Sequence, residues 1–135
     1  MPLPLFLVES IGAPRNHRTL FVRLDESKGN GRQFQVKGNI QEGMMYESKE
    51  VDRPESSIEY IGMSQLGWVA DSDLQRIEEI CRSNPPPKKQ FDGPRRIDPK
   101  TPLRRCQEWT TETIRLLESE GILKPLIDEQ DMGAR

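Results

Sequence analysis

The sequence predicts an α+β fold in which a small antiparallel sheet packs against helices. Three observations carry this prediction: β-prone runs fill the first half of the chain, turn residues separate them, and helical patterns come only afterwards. The chain has 135 residues, of which only 33% are apolar, so we expect one modest core with much loop around it. We therefore predict a single domain over residues 1–124 and a polar tail over residues 125–135.

Short runs rich in Val, Phe, Thr and Leu predict the strands, because such residues suit a pleated, half-buried surface. These runs lie at residues 3–8, 17–24, 32–37, 44–51 and 57–62. The second and third are separated by a turn-rich segment at residues 25–31, which predicts an antiparallel hairpin. Alternation along the second run places His17, Thr19 and Phe21 on one face of the sheet.

Two helices are predicted after the strands. The first covers residues 71–82, where Ser72 and Gln75 have the spacing of a capping box. A run of three prolines ends it, and residues 83–100 then form an extended, proline-rich loop. The second helix is predicted to begin near Thr101, with Pro102 at its first helical position, and to run to about residue 120.

Composition excludes several classes of protein. Lysine and arginine together number 20 against 22 acidic residues, so a globally basic nucleic-acid binder is excluded. One histidine and two distant cysteines cannot form a standard zinc site. The apolar amino end has no basic segment and is interrupted by prolines and Glu9, which argues against a signal peptide or a membrane span. We expect a reduced, cytoplasmic protein without a metal or cofactor.

Cys106 and His17 are the candidate nucleophile and base. Cys106 comes early in the second helix, where the helix dipole favours an anion, and Arg104 and Arg105 add positive charge. Both effects lower the pKa of a thiol and raise its thiolate fraction. A nucleophilic cysteine also needs an acid–base partner, and His17 is the only histidine. Gln35, midway along the neighbouring strand, is the candidate for orienting the ring.

The same residues also fit a non-catalytic interpretation. A cysteine on a helix is commonly a small core residue, and Cys81, on the apolar stripe of the first helix, is interpreted in that way. From the pattern alone, Cys106 could belong to the core as well.

Four short motifs resemble those of a known family of small fungal proteins. They are His17-Arg-Thr-Leu-Phe-Val, Phe34-Gln-Val-Lys-Gly-Asn, Leu66-Gly-Trp-Val and Arg105-Cys-Gln-Glu-Trp. The resemblance spans about residues 3–123. The order of that family, with histidine first and cysteine last on a helix, is similar to circularly permuted papain-like folds of the NlpC/P60 type. Some members of that family are synthases that make arginine-containing cyclodipeptides.

The resemblance implies a reaction and its partners. The enzyme would transfer arginine from arginyl-tRNA to Cys106 and join it to a second aminoacyl-tRNA, giving a cyclo-Arg-Xaa diketopiperazine, with no cofactor. Two departures from the family pattern stand out, since Gln35 occupies a position that is often histidine and Asn39 replaces an aspartate. An arginine substrate requires a carboxylate for its guanidinium group, and Glu108 and Trp109 are the candidate substrate-contacting residues, although Trp109 also suits the core.

A local basic stretch suits a tRNA substrate. Residues 88–105 contain seven basic side chains and only two acidic ones, although the whole chain is slightly acidic. Clustered cations can contact phosphates at one edge of a site. The predicted tRNA-binding residues are Lys88, Lys89, Arg95, Arg96, Lys100, Arg104 and Arg105. A solvated loop whose charges bind nothing would have the same composition.

Two alternative functions stay open at this point. The first keeps the site and changes the reaction, to that of a cysteine hydrolase, amidase or acyltransferase without an RNA substrate. The second is a binding module with a degenerate site, which the glutamine at position 35 favours.

Overall fold

A computed structural model describes residues 2–12 and 15–126, and it confirms the α+β class. The elements are β1 (Pro2–Ser10), β2 (His17–Arg23), β3 (Gly31–Asn39), β4 (Gly43–Val51), β5 (Tyr60–Ala70), α1 (Leu74–Ser83), β6 (Phe91–Asp92), β7 (Arg95–Arg96), α2 (Cys106–Ser119) and β8 (Lys124–Pro125). Six strands form an antiparallel sheet in the order β4-β3-β2-β1-β5-β8, and β6 and β7 form a separate small hairpin. Of the predicted tail, residues 127–135 lie outside the described residues, whereas Pro125 pairs with Gly67.

Both helices pack against one face of the sheet. Alternating residues of the strands supply that face, and the apolar stripes of α1 and α2 cover it, as the periodicity predicts. The fully buried members are Leu5, Leu20, Val22, Phe34, Val36, Ile77, Cys81, Trp109 and Leu117. A smaller cluster on the opposite face is built from Phe6, Val8 and Phe21. The main core therefore fixes α2 against β2 and β3, where the candidate site residues lie.

Two predicted boundaries and one predicted helix cap are wrong. The strand predicted at residues 57–62 is β5, which begins at Tyr60 and continues to Ala70 because it pairs with nearly the whole of β1. Helix α1 begins at Leu74 rather than residue 71, since a 3₁₀ turn occupies Asp71–Asp73. Ser72 lies inside that turn, and no side chain caps α1 at Asp73, so the predicted capping box does not form.

The start of α2 differs most from the prediction. The helix begins at Cys106, not near Thr101, because the preceding segment is held extended by Gln90. The Gln90 side chain accepts the Arg104 backbone N–H at 2.8 Å and donates to the Arg104 carbonyl at 2.7 Å, so these groups are already paired and cannot form a helical turn. Arg105 is also extended, with φ −122° and ψ −169°. Cys106 is thus the first residue of the helix.

The proline-rich segment at residues 83–100 is anchored to the turn between β3 and β4. The backbone N–H of Gln90 donates to the Ile40 carbonyl at 2.7 Å, and that of Met44 donates to the Pro87 carbonyl at 2.8 Å. The segment also contains the hairpin of β6 and β7, which the prediction of an extended loop did not include. These contacts place Gln90 next to the end of β3. Because the Gln90 side chain is bonded to Arg104, the beginning of α2 lies there too.

Candidate active site

Cys106 lies at the amino end of α2, where unpaired backbone N–H groups and the helix dipole stabilise negative charge. Its side chain is buried to 6% exposure. The Glu108 carboxylate reaches back to accept the backbone N–H of Arg105 at 2.6 Å, which satisfies one group of the helix terminus. The thiol is therefore placed where a thiolate is favoured, at the end of a rigid element.

The end of α2 fits into a gap between β2 and β3. The pairing of these strands runs only from Leu20↔Phe34 to Arg23↔Gly31. Beyond it, the backbone N–H of Arg18 donates to the Cys106 sulfur, and the Thr110 hydroxyl donates to the Arg18 carbonyl at 3.5 Å. Backbone groups of β2 that would otherwise pair with β3 are used by the helix instead, which places the thiol beside the first residues of β2.

His17, Gln35 and Cys106 come together at this gap. The His17 imidazole is hydrogen-bonded to the Cys106 thiol, and its Nε2 lies 2.7 Å from Oε1 of Gln35. Since an amide oxygen only accepts, Nε2 carries the proton in this bond, and Nδ1 is the nitrogen left for the thiol. A cysteine, a histidine and an amide in this order have the geometry of a nucleophile, its base and the group that orients the base.

Electrostatic effects favour the charged forms of both reactive groups. Burial raises the pKa of the Cys106 thiol, but the hydrogen bonds from His17 and from the Arg18 N–H outweigh it, so the pKa lies below that of a free thiol. The hydrogen bond to Cys106 raises the pKa of His17, which burial opposes and Gln35 supports. The pair therefore shifts toward a thiolate beside an imidazolium. By contrast, burial raises the pKa of Cys81 to about 12, which leaves that thiol inert.

Cys106 and His17 open into a cleft of about 360 Å³ with a cationic lining. Its charged side chains are those of Arg15, Lys37 and Arg105, and no acidic residue is found among the described residues that line it. The end of β3 and the beginning of the turn that follows it, residues 37–41, form one wall, and Gln107 forms part of the other. The cleft therefore suits a substrate that carries negative charge near the reacting carbonyl.

His17 also borders a second pocket of about 360 Å³ on its other side. Asp52 and Glu59 supply carboxylates there, next to the cationic side chains of Lys49 and Arg53. Glu59 is close enough to help raise the pKa of His17, although the hydrogen bond to Cys106 is the larger cause. The imidazole thus separates a cationic cleft from a pocket with two carboxylates.

The predicted substrate-contacting residues have other roles. Trp109 is fully buried, its indole N–H donates to the Asn84 carbonyl at 2.9 Å, and its ring packs at 5.8 Å from that of Tyr46. A side chain without accessible surface cannot contact a substrate, so Trp109 has the core role rather than the substrate-contacting one. Glu108 caps the helix and is not among the residues that line the cleft.

The predicted tRNA-binding residues divide into two groups. Arg104 is paired with Glu112 at 2.7 Å and with Asn84 at 3.0 Å, so it holds the segment before α2. Arg96 donates to two backbone carbonyls and lies over the Phe91 ring, so it holds the β6–β7 hairpin. The exposed members are Lys88, Lys89, Arg95 and Lys100, and Arg105 lines the cleft. A pocket of about 260 Å³ lies between Lys88, Lys89, Arg96 and Arg104.

Sequence reasoning missed three residues around the site. Glu47 accepts a hydrogen bond from the Gln35 side-chain amide at 2.8 Å, and Lys37 pairs with the same carboxylate at 2.8 Å. Arg15 contributes to the cationic cleft from the loop before β2. The cross-strand register Gln35↔Glu47 is the signal that could have found Glu47, since a tight turn at residues 40–42 fixes which residues face each other.

The fold and the site define an α+β protein with a buried cysteine–histidine–glutamine arrangement at the amino end of a helix. The chain belongs to a family of unknown function, DUF6540, whose sequence profile matches residues 5–124. No curated protein and no solved structure matches it. Within residues 2–12 and 15–126, no helix is long and apolar enough to cross a membrane, and no three His, Cys, Asp or Glu side chains are grouped as metal ligands would be.

Proposed function

We propose that the protein is a cysteine-dependent acyltransferase in which Cys106 is the nucleophile, His17 the acid–base and Gln35 the group that orients His17. The observation that carries this proposal is that Cys106, His17 and Gln35 lie together: thiol and imidazole each shift the pKa of the other, and the imidazole is hydrogen-bonded to the Gln35 amide at 2.7 Å. Both ends are rigid, since Cys106 begins a helix and Gln35 lies within a strand. An intact arrangement of this kind counts against the degenerate binding module.

The first half of the reaction forms an acyl-enzyme. The Cys106 sulfur attacks the ester carbonyl of an acyl donor, a carbon–sulfur bond forms, and the carbon–oxygen ester bond breaks. The departing oxygen takes the proton that the His17 imidazolium carries on Nδ1. The proton on Nε2 remains there, hydrogen-bonded to the Gln35 amide oxygen. The charge of the tetrahedral intermediate lies close to the amino end of α2, which favours it.

The second half transfers the acyl group. An amine attacks the thioester, a carbon–nitrogen bond forms, the carbon–sulfur bond breaks, and His17 takes the proton that the amine loses. For the specific reaction proposed here, the donor is arginyl-tRNA and the amine is the amino group of a second aminoacyl-tRNA. The arginine amino group then attacks the remaining ester, which closes the diketopiperazine ring and releases the second tRNA.

Charge around the site supports this choice of substrates. The cationic cleft of Arg15, Lys37 and Arg105 suits the phosphates that accompany an aminoacyl ester at the end of a tRNA. The guanidinium group of arginine requires a carboxylate, and Asp52 and Glu59 in the second pocket beside His17 are the candidates. Glu47 is less suited, because it is already paired with Lys37 and Lys49.

The same residues support a circularly permuted papain-like organisation. The histidine comes from a strand early in the chain, its partner amide from the next strand, and the cysteine from the first turn of a late helix. Both cysteines are free thiols, which is compatible with the reducing cytoplasm where we propose the protein works.

Expression in a bacterial host, followed by mass analysis of the extracts, tests the proposal. We expect arginine-containing diketopiperazines with the wild type and with Cys81→Ala, and none with Cys106→Ala. His17→Ala is expected to lower the rate about 10²–10⁴-fold, as the loss of a general acid–base does, and Gln35→Ala by less. A Cys106→Ala protein that still forms product would overturn the proposal.

The pH dependence of alkylation by iodoacetamide separates the reactive thiol from an inert one. Because the pKa of Cys106 is lowered, its thiolate is present at a lower pH than that of a free cysteine, so alkylation is expected to be fast at neutral pH. A reactive thiol in a protein that hydrolyses aminoacyl esters without joining them would favour the cysteine hydrolase. A Cys106 no more reactive than free cysteine would contradict any nucleophilic role.

A further inference from the structure

Glu47 lies directly behind the arrangement of Cys106, His17 and Gln35. Gln35 and Glu47 are cross-strand partners on β3 and β4, so their side chains extend from the same face. Nε2 of Gln35 donates to Oε1 of Glu47 at 2.8 Å, while the other carboxylate oxygen accepts from Lys37 at 2.8 Å. Gln35 itself is buried to 8% exposure, so little solvent competes for its amide.

The orientation of the Gln35 amide decides the protonation of His17. An amide has one end that donates and one that accepts, and a half-turn about its last bond exchanges them. A carboxylate only accepts, so Glu47 requires the NH₂ group of Gln35 on its side and leaves the oxygen for His17. In the reversed orientation, the NH₂ group would face Nε2 of the imidazolium, and two donors would oppose each other.

We propose that Glu47 is a positioning residue which, by holding the NH₂ group of Gln35, keeps the amide oxygen on the His17 Nε2–H and Nδ1 directed at Cys106. The inference rests on the function proposed above and extends the arrangement by a fourth member. It differs from an ordinary salt-bridge role, in which Glu47 would serve only to pair Lys37 and Lys49.

The charges around this arrangement give Glu47 two opposite effects on the thiol. The groups that face the imidazole or the carboxylate are Lys37, Lys49, Asp52, Arg53, Glu59, Arg15, Arg105 and Cys106. Removal of the Glu47 charge would also free two lysines, and both changes stabilise a nearby thiolate by Coulomb attraction. Electrostatics alone therefore predicts that Cys106 is alkylated faster in Glu47→Ala, whereas loss of the amide orientation predicts that it is alkylated more slowly.

The experiment measures the rate of Cys106 alkylation by iodoacetamide across a pH series, in a Cys81→Ala background. We expect Glu47→Ala to lower the rate at neutral pH by about two- to tenfold, the effect of one missing hydrogen bond, and to move the profile to higher pH. Glu47→Gln keeps the shape of the side chain but no longer forces one orientation of the Gln35 amide. Its alkylation rate should therefore lie between those of the wild type and Glu47→Ala. Glu50→Gln, an exposed carboxylate on the opposite face of the same strand, is the matched control and should behave as the wild type.

A second background makes the test specific for the amide. In Gln35→Ala, no amide remains, so no wrong orientation exists and Glu47 has nothing to orient. We expect Glu47→Ala to leave the alkylation rate unchanged or to raise it in that background. An equal decrease in both backgrounds, or an unchanged or faster thiol in Glu47→Ala alone, would overturn the role of Glu47. A wild-type Cys106 that is unreactive would overturn the proposed function instead.

Discussion

Whether Glu108 caps α2 or binds the substrate can be tested with two substitutions. They separate the hydrogen-bond acceptor of the side chain from its negative charge. Glu108→Gln keeps an oxygen that can accept the Arg105 N–H but removes the negative charge near the helix terminus. Glu108→Ala removes both. Burial is the largest cause that raises the pKa of Cys106, and the Glu108 charge raises it as well. Both variants remove that charge, so the Cys106 thiol is expected to ionise more readily in each.

The expected decreases in stability follow from the two contributions. The charge at the first turn of a helix contributes about 0.3–1 kcal/mol, which Glu108→Gln should lose. The hydrogen bond to Arg105 contributes about 0.5–1.5 kcal/mol, so Glu108→Ala should lose about 1–2.5 kcal/mol in all. Urea unfolding measures these differences in the free energy of unfolding, with Glu118→Ala, exposed at the other end of α2, as the control.

The activity of the same variants decides between the two roles. If Glu108 is a cap, both folded variants should alkylate at least as fast as the wild type and should still form product. If Glu108 binds the guanidinium group of the substrate, both should lose product formation while the thiol stays reactive. That second pattern would refute the assignment of Glu108 to the helix terminus.

Two further predictions concern the segment before α2. The Asn84 side chain makes hydrogen bonds with Trp109, Thr113 and Arg104, so Asn84→Ala should lower the free energy of unfolding by about 1.5–4.5 kcal/mol; a decrease as small as that of the neighbouring control Ser83→Ala would contradict this. Alanine at Lys88, Lys89, Arg95 and Lys100 should leave the Tm nearly unchanged, because all four are exposed, but should reduce the salt slope of tRNA binding by roughly one unit for each phosphate that is no longer neutralised. An unchanged slope and affinity would mean that these residues are only solvated surface.

The sequence by itself determined the fold class and most of the elements. Alternating apolar residues in β1, β2 and β3 and the apolar stripes of the helices reflect burial on one face, which is a local, periodic property. The same periodicity could not fix where α2 begins, since Pro102 is compatible with a first helical turn. The tertiary bonds from Gln90 hold that segment extended, and they make Cys106 the first residue of the helix.

The site shows the same division. Residue chemistry and the family resemblance together named Cys106, His17 and Gln35 as candidates, because few side chains can act as a nucleophile, a base or its orienting partner. The sequence could not show that Trp109 is buried rather than open to a substrate, since both roles suit an aromatic residue near the start of a helix. Nor could it assign Glu47, one of many acidic residues, to the Gln35 amide. The turn at residues 40–42 sets the register that places Glu47 opposite Gln35, but the sequence does not show which of the facing pairs lies beside His17. That depends on the gap in the sheet that admits α2, which only packing of distant segments decides.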